Sequence, residues 1–214
     1  MQKMDQLYRQ YVMENFFVED FFEQSDDKGD FLLEERDQGG ETKLQFGIEG
    51  SESWVIANVD KKNTKFSFMK TDKKLSLGKR VDHIVLEKRE DNKWIAHLIE
   101  MKTSISSGEK WIEIKGKFRA SYLFIQAICA MLHMDLSEVR MYTTYENVVF
   151  DYAPENMISR RPRLGVSQVV PHQEWEGGKF TLSFGEECRL FFMHIPIHVT
   201  RNQDNILEGQ IRCS

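Results

Sequence analysis

The stretch Val81-Asp82-His83-Ile84-Val85-Leu86-Glu87-Lys88-Arg89-Glu90-Asp91-Asn92-Lys93-Trp94-Ile95-Ala96-His97-Leu98-Ile99-Glu100-Met101-Lys102-Thr103 decides how the chain folds. Two apolar runs, Asp82 to Lys88 and Lys93 to Thr103, flank the polar step Arg89-Glu90-Asp91-Asn92. Asp and Asn accept left-handed backbone angles at low cost, so the step reads as a turn and the stretch as a β-hairpin. A three-residue loop, Glu90-Asp91-Asn92, sets Asp82 directly opposite Glu100, whereas a two-residue loop turns Asp82 to the other face. Strand side chains alternate, so Glu100 and Lys102 share a face in either case. With the longer loop, Asp82, Glu100 and Lys102 converge at one end of a mostly apolar hairpin.

Two carboxylates and a lysine around one point suit metal-assisted phosphodiester hydrolysis. Mg²⁺ and Mn²⁺ take hard oxygen ligands, which Asp82, Glu100 and the Met101 carbonyl supply. Such an ion polarises the scissile phosphate and acidifies a water, while Lys102 positions that water or neutralises developing charge. Asp82, an apolar strand, a turn, a second apolar strand and Glu100-Met101-Lys102 together resemble the PD-(D/E)xK nuclease superfamily. The resemblance covers roughly a tenth of the chain, and Val81 stands where the family often has Pro. It implies an α/β (α+β) fold in which a mixed central sheet is flanked by helices in a restriction-endonuclease-like core, here with extra C-terminal strands. It also implies a divalent-metal-dependent nuclease, with DNA ahead of RNA as substrate. A helix following the Glu-Met-Lys strand would carry Lys117 and Arg119 at its N-terminal end to hold phosphates, with Gln126 one turn further in. An N-terminal helix in this family often lends a further acid, for which Glu14, Glu19, Asp20, Glu23, Glu34 and Glu35 are candidates. The alternatives are a non-catalytic nucleic-acid- or protein-binding assembly module with a degenerate nuclease fold, and a small-molecule-binding β-rich domain with an apolar pocket away from residue 100.

With 214 residues, the chain fits a single domain with a sizeable core. It divides into a helical segment (1–36), a core (43–152), a long basic loop (153–178) and C-terminal strands (179–214). A net charge of −5 argues against indiscriminate nucleic-acid binding. The charge is nonetheless segregated. Residues 1–41 are acidic, whereas Lys61, Lys62, Lys65, Lys70, Lys73, Lys74, Lys79 and Arg80 form a basic approach to Asp82. Cys129, Cys188 and Cys213 are odd in number and unpatterned, and no apolar signal segment or membrane-length run occurs. These features predict a cytoplasmic protein without disulfides, zinc site or membrane contact.

Leu7, Tyr8, Tyr11, Val12, Phe16 and Phe17 recur at helical spacing and predict an amphipathic helix, a possible surface for homo-oligomers. Asp30 reads as the cap of a short second helix through Glu35. Runs 43–48, 53–59 and 64–69 read as an antiparallel strand meander feeding the hairpin. The run 109–117 fits helix or strand, and from Phe118 the pattern becomes a buried helix. One of the runs 139–144 and 148–152 should lie beside the Glu-Met-Lys strand through a right-handed crossover. Arg160 and Arg161 sit in a long loop suited to a nucleic-acid backbone. Runs 180–184 and 190–199 form a second hairpin, and 206–211 a final strand. His83 and His97 flank the proposed site and are candidates for proton transfer.

Overall fold

The computed structural model describes residues 2–25, 29–37, 40–49, 52–61, 77–150, 171–185 and 187–213. Expectations for the strand 64–69, for Lys62, Lys65, Lys70, Lys73 and Lys74, and for Arg160 and Arg161 lie outside the described residues. The elements are α1 (Gln2–Phe16), β1 (Glu23–Gln24), β2 (Asp30–Asp37), β3 (Gly40–Ile48), β4 (Glu52–Ile56), β5 (His83–Lys88), β6 (Trp94–Glu100) and β7 (Ser104–Ile105). They continue with α2 (Gly108–Met131), β8 (Leu136–Tyr145), β9 (Asn147–Val148), α3 (Pro171–Glu176), β10 (Lys179–Ser183), β11 (Arg189–His198), β12 (Thr200–Arg201) and β13 (Leu207–Cys213).

A seven-stranded mixed sheet runs in the order β1-β4-β5-β6-β8-β11-β10. Strands β4, β5 and β6 are antiparallel neighbours, and α2 then carries the chain across to β8, which lies parallel to β6. The expected strand beside Glu-Met-Lys is therefore β8. The second hairpin is β10–β11, whose second arm adds parallel to β8.

Alternation in β5 and β6 explains why this hairpin is buried on both faces. Ile84, Leu86, Ala96 and Leu98 join Trp111, Ile114, Phe118 and Ile125 of α2 in one core. Val85 and Ile99 point the other way, into a core with Phe31, Leu33, Leu44 and Phe46. That second core belongs to a four-stranded sheet, β12-β13-β3-β2.

This second sheet corrects two expectations. Residues 30–37 form strand rather than helix, with Phe31 and Leu33 buried and Leu32 exposed, the period-2 signature of a half-buried strand. The run 43–48 is a strand, but it pairs with β2 and β13 rather than feeding the hairpin. Among the described residues, α2 packs on one face of the large sheet and the second sheet covers the other.

Helix α2 begins at Gly108, not near Phe118, and Ser107 caps it by accepting the Lys110 N–H at 3.2 Å. Trp111, Ile114, Phe118, Ser121 and Ile125 are buried at helical spacing, so one stripe extends from the ambiguous run into the evident helix. Gly116 interrupts the run in composition only. A methyl group there would meet nothing within 4 Å. Gly116→Ala is accordingly expected to stabilise the protein by about 0.5–1 kcal/mol in urea unfolding; a loss of stability would mean that this stretch is not helical.

Candidate active site

The hairpin loop has the length that brings the carboxylates together. Arg89 N–H donates to the Lys93 carbonyl at 2.9 Å, and Asn92 N–H to the Arg89 carbonyl at 3.0 Å. Asn92 takes a left-handed φ of 61°. Glu90, Asp91 and Asn92 are thus the loop. The ladder pairs Lys88 with Trp94 and His83 with Ile99, which places Asp82 beside Glu100.

Both carboxylates lie at the α2 face of the large sheet and are buried, with Asp82 2% and Glu100 0% exposed. Asp82 Oδ2 accepts the Met101 N–H at 2.6 Å. Lys102 Nζ lies 2.8 Å from Glu100 Oε1 and 3.7 Å from Asp82 Oδ2, and donates to the Met101 carbonyl at 2.7 Å. The Lys102 backbone is pinned to β8 through Thr144, whose hydroxyl accepts the Lys102 N–H at 2.9 Å and donates to the Lys102 carbonyl at 3.1 Å. Lys117, deep in α2, adds a second ammonium 2.7 Å from Glu100 Oε1 and 3.5 Å from Asp82 Oδ1.

Burial, reinforced by the Asp82 charge, pushes the Glu100 carboxyl up to about 7, while the two lysines pull it down. Burial also lowers the two lysines, but Glu100 and Asp82 outweigh it, so both ammonium groups are held above their ordinary value. Glu100 Oε2 is buried and accepts no hydrogen bond among the described residues.

One acid at this site escapes a reading of the sequence. Val59 N–H donates to the Asp82 carbonyl at 2.7 Å, which draws the loop after β4 against the site. Asp60 follows; burial and then the Asp82 charge raise its carboxyl, and Lys117 opposes them. Its Oδ1 is buried without a hydrogen bond among the described residues. Of the N-terminal acids, Glu35 on β2 feels Asp82, after burial and a bond from Lys61 at 3.0 Å. Glu34 instead pairs with Lys43 at 3.2 Å, and Glu14 accepts from Gln10 at 2.8 Å. Glu19, Asp20 and Glu23 are exposed.

Other expected residues lie elsewhere. Arg119 donates to the Ser183 carbonyl at 3.1 Å, and Gln126 is exposed and bonded to Tyr122. Because α2 starts at Gly108, its N-terminus is remote from Lys117 and does not serve the carboxylates. Lys115 pairs with the buried Glu174 of α3 at 2.9 Å. Arg80 turns inward, 2% exposed, donating to the Val59 carbonyl, and so does not line a basic approach. His97 lies behind the sheet between Glu87 and Tyr142, each at 2.9 Å. His83 Nδ1 accepts the Asn58 N–H at 3.3 Å, and burial lowers its pKa to about 4. His83 feels the Asp82 charge, and His97 is held by Glu87 rather than by the Asp82–Glu100 pair.

Comparison with known families, curated proteins and solved structures finds no match. The geometry alone carries the functional conclusion. Among the described residues, no three His, Cys, Asp or Glu side chains are arranged to hold a metal ion, and no helix is long and apolar enough to cross a membrane. The oxygen set of Asp82, Glu100 and the Met101 carbonyl nonetheless suits a hard divalent ion, and the orphaned Glu100 Oε2 leaves an acceptor for one.

Proposed function

We infer that this chain is a divalent-metal-dependent nuclease of the PD-(D/E)xK type, acting on phosphodiester bonds of DNA ahead of RNA. The observation that carries the reading is the position of Lys102 Nζ, at 2.8 Å from Glu100 Oε1, 2.7 Å from the Met101 carbonyl and 3.7 Å from Asp82 Oδ2. One oxygen of each group assigned to a metal thus faces one point. The order α1, β4-β5-β6, α2, β8 supports a restriction-endonuclease-like core.

A bound Mg²⁺ or Mn²⁺ supplies Lewis acidity for the phosphate and a water. Asp82, Glu100 and the Met101 carbonyl would hold that ion. The Met101 N–H fixes the Asp82 carboxylate, so its second oxygen keeps one direction. Lys102 offsets charge developing on the phosphoryl oxygens and orients the attacking water. Lys117 contacts a phosphate oxygen.

A panel of labelled DNA and RNA, incubated with Mg²⁺, Mn²⁺ or EDTA, tests this. Metal-dependent cleavage is expected, with a fall of roughly a hundred- to a thousandfold for Glu100→Ala and Lys102→Ala. Cleavage indifferent to both substitutions, or none from the native chain, would sink the assignment.

A second reading, an assembly module that binds without cutting, draws on α1. Leu7 (54%), Tyr11 (59%) and Phe16 (68%) are exposed there while Val12 packs inward, a surface suited to self-association. Oligonucleotide binding without cleavage would favour it.

A further inference from the structure

Two carboxylates and two ammonium groups share one buried point. Glu100 Oε1 touches both Lys102 Nζ, at 2.8 Å, and Lys117 Nζ, at 2.7 Å. Asp82 faces the same two groups at 3.7 and 3.5 Å. With both carboxylates ionised, the charge within this foursome cancels. Lys102 also donates to the Met101 carbonyl at 2.7 Å, so its ammonium reaches one oxygen of each group that the proposed function gives to a metal.

A divalent ion cannot share that seat. Mg²⁺ binds oxygen at about 2.1 Å and needs the lone pairs now pointed at nitrogen. Like charges a few ångströms apart repel strongly where water is scarce. An ion entering alone would also leave the foursome with an uncompensated double positive charge. Asp60 nearby supplies one negative charge, and a phosphodiester supplies another. The lysines have somewhere to go, since Lys102 and Lys117 side chains remain 16% and 18% exposed. Glu100, wholly buried, cannot follow them, and among the described residues nothing donates to its Oε2.

We propose that the site takes its divalent ion and its nucleic-acid phosphate together. Lys102 and Lys117 are resident counter-cations that keep metal out of the free protein and turn onto the phosphate when both ligands arrive. This rests on the nuclease reading for the identity of the anion, but not for the exclusion of metal. The coupling is reciprocal: nucleic acid tightens metal by the factor that metal tightens nucleic acid.

Mn²⁺ binding, followed by the electron paramagnetic resonance of the free ion, tests the proposal without relying on turnover. The native chain, Lys117→Met, Lys117→Gln and Glu100→Gln are compared with and without a phosphorothioate DNA duplex, subtracting ion held by the duplex alone. Circular dichroism establishes that each is folded, and the two Lys117 variants guard against loss of one. DNA is expected to tighten Mn²⁺ on the native chain about tenfold or more. Without DNA, loss of the Lys117 charge is expected to tighten Mn²⁺ by about tenfold, with a smaller further gain from DNA. Equal Mn²⁺ affinity in the native chain and both Lys117 variants would overturn the proposal, as would native affinity indifferent to DNA. A native chain that cuts nothing, yet binds Mn²⁺ more tightly once Lys117 is neutralised, would retain metal exclusion and lose the nuclease. Mn²⁺ binding that persists in Glu100→Gln would put the ion elsewhere and overturn both.

Discussion

Asp82→Ala is expected to lower metal-dependent cleavage by roughly a hundred- to a thousandfold and stability by roughly 3 kcal/mol, whereas Glu100→Ala lowers cleavage as much with a much smaller loss of stability. Asp82 is both a proposed ligand and a structural acceptor. Its Oδ2 takes the Met101 N–H at 2.6 Å, and Met101 is 1% exposed. Truncation strands that N–H away from water, and a hydrogen bond to a charged group contributes about 1.5–3 kcal/mol. Two lysines lose a partner as well. Glu100 holds those two lysines, whose side chains are partly exposed and long enough to turn their ammonium groups to solvent. Removing it also relieves the burial that pushes its carboxyl up to about 7. Asp82→Asn separates the two roles, because the amide oxygen still accepts from Met101 while the charge is gone. Its stability should lie near native and its cleavage near zero. Urea unfolding followed by circular dichroism, beside the cleavage panel, reads both quantities. Equal destabilisation by Asp82→Ala and Glu100→Ala would refute this division of labour.

Acid should weaken the fold well before ordinary carboxylates titrate. His194 on β11 is 2% exposed and lies among Trp111, Phe118, Trp175 and Phe180, with Nε2 3.1 Å from the Thr143 hydroxyl. Burial lowers its pKa from 6.5 to about 3. A histidine with a depressed folded pKa gives its full contribution above the unfolded value, near 6.5, and loses it as pH falls toward the folded value. One unit corresponds to about 1.4 kcal/mol, so His194 alone should cost roughly 2 kcal/mol between pH 7.5 and pH 5. His83, lowered to about 4, acts in the same direction. Glu100 opposes both: its raised folded pKa makes its contribution fall as pH rises between about 4.5 and 7. Urea midpoints at the two pH values, for the native chain and His194→Gln, measure the histidine's share. The glutamine keeps a partner for Thr143 and does not titrate, so its pH dependence should be markedly flatter. Identical pH dependence in the two proteins would show that His194 does not drive acid weakening.

What the chain discloses from its residues alone is uneven, for physical reasons. The Asp82–Glu100 register was legible only as one of two: Asp91 and Asn92 mark the turn, but the length of the loop decides which face Asp82 takes. Glu100 and Lys102 follow from period 2. Lys117 was legible as a basic residue near the site, but its route there was not. Gly116, Trp111 and Ile112 blur the start of α2, and the buried stripe emerges only when Trp111 and Ile114 are aligned with Phe118 and Ser121. Asp60 had no signal, since its place comes from one backbone contact between Val59 and Asp82. The second sheet was hidden for the same reason. Phe31 and Leu33 show their alternation only over a short run, and β3 finds its partner β13 at the far end of the chain.

That last pairing makes the order of synthesis matter. Strand β3 is made beside β2, but its parallel neighbour exists only after Leu207 to Cys213 have been translated, because Thr42 registers with Leu207 and Ile48 with Cys213. Until then the hairpin has one bare edge, and Leu44 and Phe46 lack part of their cover. Such an edge invites pairing between neighbouring nascent chains. Contacts so distant in sequence also close slowly. The half of the protein behind the proposed site is therefore the half most exposed to misassembly on crowded ribosomes, although Asp82, Glu100 and Lys102 belong to the β5–β6 segment, made well before β13.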